Sequence, residues 1–63
     1  LMFNKMTITN CKYLKDSLTN ENHAIMAVID GKNYSVPMDL ENIHYAEIKR
    51  QVDAGELTIE DAD

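Results

Sequence analysis

Residues 24–55 read AIMAVIDGKNYSVPMDLENIHYAEIKRQVDAG. Two runs with strand character, AIMAVI and KNYSV, flank Asp30-Gly31. That dipeptide is favoured in a type I′ hairpin turn, whose two central residues both need positive φ. A two-residue turn sets Ile29 opposite Lys32, Ala27 opposite Tyr34 and Ile25 opposite Val36. Directly opposed residues share a face. The sequence therefore predicts a β-hairpin over 24–36 with Ile25, Ala27, Ile29, Tyr34 and Val36 facing one way. Ala24, Met26 and Val28 face the other way, opposite Pro37, Ser35 and Asn33.

Pro37 lacks an N–H and stops the ladder. Either Asp39 or Asn42 can cap the helix beyond it, since a short side-chain oxygen accepts from first-turn amides. Tyr45, Ile48 and Val52 recur at i, i+3 and i+7, which is one helical stripe. Glu47, Arg50 and Gln51 fall off it. Gly55 suits the position just past a helix end, where the backbone turns left-handed. The predicted helix spans 40–54.

Upstream, TITNCKYLKDSL predicts a strand over 7–18. Ile8 and Leu14 share one parity while Cys11 and Tyr13 share the other. The broken alternation, with Lys12, Lys15 and Asp16, points to an edge strand. Thr19-Asn20-Glu21-Asn22 is a cluster of turn formers. Residues 1–6 are expected to fray. Residues 56–63 read as a loose acidic tail, of which Glu56–Ile59 can dock as a short extended piece. Strands followed by one helix give the α+β class. The expectation is a single domain over 1–63, with a small antiparallel sheet of two or three strands packed on one C-terminal helix.

A chain of 63 residues buries only about 60% of its unfolded surface, so its stability needs support. One cysteine, Cys11, rules out an intrachain disulfide. Oligomerisation is the remaining common device. The apolar face Ala24, Met26, Val28 is the candidate interface, and a two-fold homodimer is the expected partner arrangement. Six basic and six acidic residues balance over 1–52, and the net charge of −5 arises in 53–63. Nucleic-acid binding, which depends on Lys and Arg against phosphates, is not expected. The longest apolar run, Ala24–Ile29, is six residues. A membrane span needs about 20, so no membrane partner is expected. The opening LMFNKMTIT carries no signal-peptide pattern, and a cytoplasmic location is expected.

Catalytic and cofactor chemistry finds little footing. His23, His44 and Cys11 are the soft metal ligands, and they stand 12 and 21 residues apart. That is no ligand spacing, so neither metal nor cofactor is expected. Asp30-Gly31-Lys32-Asn33 lacks the alternating oxygens of a calcium loop. No activating surroundings mark Cys11 as a partner for His44 in nucleophilic catalysis, and no enzyme activity is expected. Asp39 and Glu41 need no role beyond helix capping and the dipole. Asn33-Tyr34-Ser35 is a glycosylation sequon set within a strand.

K-Y-L-K-D from Lys12, D-G-K-x-Y-x-V-P-x-D-x-x-N-x-x-Y from Asp30 and V-D-A-G-E from Val52 together resemble short proteins of tailed bacteriophages, marine ones included. Many of these are uncharacterised and some are encoded near tail genes. The resemblance covers residues 12–57, and its most specific part is Val36, Pro37, Asp39, Asn42 and Tyr45. It departs from the family at Val52, where an aromatic is usual, and at Gly55-Glu56, where G-N is usual. It implies a small accessory or virion-associated protein of the host cytosol or virion, acting by protein–protein contact. An acidic inhibitor or DNA mimic aimed at a host protein is the alternative.

Overall fold

The computed structural model describes residues 6–63. The expectation that the N-terminus frays lies outside the described residues for 1–5. Met6 itself packs against the core. The class is α+β. The elements in chain order are β1 (Ile8–Lys15), β2 (Asn22–Ile29), β3 (Lys32–Pro37), α1 (Ile43–Asp53) and β4 (Ile59–Glu60). The sheet order is β3-β2-β1-β4. β1, β2 and β3 form an antiparallel meander, and β4 lies parallel to β1. The sheet is thus four-stranded and mixed, larger than the two or three antiparallel strands read from the sequence. β1 is an inner strand, and the edge-strand reading is corrected.

Asp30 and Gly31 take φ of 51° and 84°, the left-handed pair that a type I′ turn requires. The register follows from it: Ile25 faces Val36, Ala27 faces Tyr34 and Ile29 faces Lys32. Asp30 also ties in β1. Its carboxylate accepts from the Thr7 amide at 3.0 Å, and its own amide donates to the Thr7 carbonyl at 2.9 Å.

The broken parity in β1 has a single cause. Thr9 pairs with Val28 but Lys12 pairs with Met26, so Asn10 and Cys11 together oppose Ala27. Asn10 sits at φ 52°, a conformation that Asn tolerates better than most residues. This is a β-bulge, which re-aims every side chain after it. Ile8 before the bulge and Cys11 and Tyr13 after it therefore share the core face. Leu14 is carried to the other face.

β1 ends earlier than 18 because Asp16 folds the chain back. Its carboxylate accepts from the amides of Leu18 at 2.7 Å and Thr19 at 3.2 Å. Its backbone bonds Glu21 and Asn20 at 2.8 Å each. Leu18 is left exposed at the loop tip.

Of the two candidate caps, Asn42 is the helix cap, its side chain accepting from the Tyr45 amide at 3.0 Å. Asp39 supports the turn before it, accepting from the Glu41 amide at 3.0 Å. α1 accordingly starts at Ile43, three residues later than predicted. At the far end the Glu56 amide donates to the Gln51 carbonyl and the Gly55 amide to the Val52 carbonyl, with Gly55 at φ 77°. Those two bonds make a Schellman motif.

Ile8, Cys11, Ile25, Ala27, Ile29, Val36 and Ile48 form the core, with Tyr45, Val52, Leu57 and Ile59 packed around it. α1 therefore lies on the face that carries Ile25, Ala27, Ile29, Tyr34 and Val36. Its stripe is wider than predicted, because Gln51 is also buried. The Gln51 amide nitrogen donates to the Glu47 carboxylate at 2.7 Å and the Met6 carbonyl at 3.3 Å. A buried amide is tolerated when its hydrogens find acceptors. The segment after the helix is not wholly loose either: Ile59 pairs with Cys11 and Glu60 with Lys12.

Gly31→Val is expected to destabilise the fold by about 1 kcal/mol or more, because a β-branched residue resists positive φ. No atom crowds the added Cβ within 4 Å, so the loss measures backbone strain alone. An unchanged urea midpoint would refute the type I′ turn. The two acidic-or-amide positions before α1 separate in the same assay. Asn42→Ala should cost about 1 kcal/mol and Asp39→Ala clearly less; the reverse order would move the cap to Asp39.

Candidate interaction face

The sheet has two unlike faces. α1 covers the first. The second carries Thr9, Lys12 and Leu14 from β1, Ala24, Met26 and Val28 from β2, and Asn33, Ser35 and Pro37 from β3. The only helix among the described residues lies on the opposite side.

The three residues expected at an interface do share this face, but they are not equally available. Met26 is 39% exposed, Val28 is half-buried and Ala24 is only 5% exposed. Ala24 sits in register between Leu14 and Pro37, both of which have larger side chains. The accessible apolar side chains of this face are therefore Met26 and, in part, Val28 and Leu14, with Pro37 beside them. Ala24 belongs to the floor. Its low exposure is not visible from residue parity alone.

Lys12 borders this apolar strip. Its Nζ pairs with the Asp63 carboxylate at 2.5 Å. That hydrogen bond holds the ammonium above its usual range against desolvation, with the charges of Asp63 and Glu60 adding to it. The pair brings residues 51 positions apart together. The sequence reads residues 56–63 as a loose acidic tail in which Glu56–Ile59 can dock, and the tie at Asp63 lies beyond that piece.

A second set of exposed apolar side chains flanks the helix cap: Met38, Leu40 and Ile43, the last two each 70% exposed. They do not stand out in the sequence, where Leu40 falls within the predicted helix and Ile43 lies off its stripe.

The chemical candidates are not assembled. His23 is exposed on β2, while Cys11 is buried on the core face. Burial pushes the Cys11 thiol up from its ordinary value, away from the reactive thiolate. His44 packs its ring on Tyr34, with centroids 5.0 Å apart and planes tilted by 48°. It thereby pins α1 to β3. Among the described residues no three His, Cys, Asp or Glu side chains gather as metal ligands. Glu47 and Arg50 form a paired surface site on α1, with two bonds of 3.0 and 2.8 Å. An open groove of about 360 Å³ runs between Met6–Ile8 and the end of α1, lined also by Gln51 and Glu56.

The residues expected to shape the fold take their places around this face. Pro37 closes β3, Tyr45, Ile48 and Val52 face the core, and Gly55 closes α1. No helix among the described residues is long and apolar enough to cross a membrane. Comparison with protein-family models, curated proteins and solved structures produced no match.

The turn amides of Leu18 and Thr19 hold the Asp16 carboxyl below its ordinary value of 3.8, and His23 adds a small contribution of the same sign. A depressed folded-state pKa stabilises above the unfolded value and loses that effect as pH falls through the folded one. Wild type should therefore melt above Asp16→Ala at neutral pH, and the gap should close as pH falls below the ordinary value of 3.8 and through the lower folded one. A gap that stays constant through that window would show that the turn does not favour the anion.

Proposed function

We propose that this chain is a small phage-type accessory or virion-associated protein that works by protein–protein contact and not by catalysis. Its contact surface in this reading is the open sheet face centred on Met26, and its first partner is a second copy. One observation carries the reading: Met26 and Val28 form an apolar strip on the side of the sheet that α1 does not cover. A chain of this size gains much from covering such a strip. A two-fold axis would set the patch against itself. The exposed Leu40 and Ile43 supply a further apolar contact near the helix cap. The phage assignment rests on the sequence pattern Val36-Pro37-x-Asp39-x-x-Asn42-x-x-Tyr45, and with it goes a location in the host cytosol or the virion.

The DNA-mimic alternative asks for carboxylates free over one face. Asp63 is paired with Lys12, and Asp16 is engaged by turn amides. Both observations favour the contact protein.

Sedimentation equilibrium at micromolar concentration should give a dimer of the 7.2 kDa chain. Met26→Lys should shift it to monomer, because two ammonium groups would meet across the axis. A wild-type protein that sediments as a stable monomer overturns the homodimer.

A further inference from the structure

β4 is the slightest element of the sheet, and it covers the flank of a buried thiol. β1 runs for eight residues, yet β4 pairs with it only at Cys11 and Lys12. The pairing is parallel, which is slightly weaker per residue than antiparallel. Of residues 57–63, Leu57, Ile59 and Ala62 are half-buried and the rest exposed. The side-chain tie that fastens this segment is the Lys12–Asp63 pair. An exposed pair of this kind contributes little. The Schellman motif fixes the chain as far as Glu56, so the helix end does not depend on residues 57–63. Beneath the segment, Cys11 is 2% exposed, with Ile59 as its register partner.

We propose that β4 is a strap: residues 57–63 lift off β1 as a unit while the β1–β3 meander and α1 remain folded, and the Lys12–Asp63 pair latches the strap closed. Opening uncovers the Cys11 thiol and frees the outer backbone amides and carbonyls of β1. Elements with few buried contacts and a short ladder occupy the low end of a protein's range of local stabilities. The meander and the helix on it, by contrast, carry Ile25, Ala27, Ile29, Val36 and Ile48, all of them 3% exposed or less. The strap concerns the outer side of β1, while its latch residue Lys12 pairs in register with Met26 and so borders the strip of the dimer reading.

Cys11 is the only thiol in the chain, so its labelling by a disulfide reagent reports opening directly. Labelling rates of the full chain measured across a urea series should give an opening free energy below that of global unfolding. Their urea slope should also be shallower, because a strap exposes little surface. Asp63→Lys, which turns the latch into a repulsion, should speed labelling by about two- to fivefold with the global urea midpoint nearly unchanged. The proposal is overturned if Cys11 reacts with the free energy and urea slope of global unfolding. It is equally overturned if Asp63→Lys leaves the labelling rate as it was.

Discussion

The bulge at Asn10 is the constraint on which this small fold turns. Cross-strand pairing moves a whole strand's side chains from one face to the other when the register slips by one residue. β1 needs Ile8, Cys11 and Tyr13 on the same side, and no unbroken strand can supply that. One residue at φ 52° resolves the conflict. It also leaves Lys12 and Leu14 on the far face. That placement gives the open side of the sheet its mixed character and sets Lys12 within reach of Asp63.

The core is shallow in numbers but closed. Ile48 from the helix meets Ile25, Val36 and Ala27 from the meander, and each is 1% exposed or less. The polar groups around it are accounted for. Asn42 satisfies one helix end, the Schellman motif satisfies the other, and Gln51 donates both amide hydrogens, to Glu47 and Met6. No buried side-chain nitrogen or oxygen among the described residues lacks a partner. With so few buried side chains, each satisfied group matters more than it would in a larger domain.

The functional reading and the strap rest on two different margins of one sheet. The open face offers apolar surface with a shared register, which suits contact with another protein surface. The β1 edge offers backbone, covered by a strand of two residues. In the proposed reading, helix, face and edge would serve separate tasks. α1 covers one face, the Met26 strip lies on the other, and β4 lines the outer side of β1.

Local chemistry is enough to read the central third of this chain. Asp30-Gly31 dictates a turn, the turn dictates the register, and the register dictates which of Ile25, Met26, Ala27 and Val28 face inward. Pro37 and Gly55 punctuate for reasons carried within their own residues. Sequence could not choose between Asp39 and Asn42, because both side chains offer the same acceptor and only the path of the chain decides which amide each meets. Nor could it place the bulge, since a parity break reads equally as an edge or as an extra residue until β2 lies alongside. Gln51 looks like a surface residue in the sequence because its polarity is visible and its acceptors, Met6 and Glu47, are supplied by the fold. Ala24 looks accessible in the sequence for the opposite reason, its register neighbours Leu14 and Pro37 arriving from other strands. β4 is the least legible element, since two residues have no period of their own and their strand character exists only against the edge of β1.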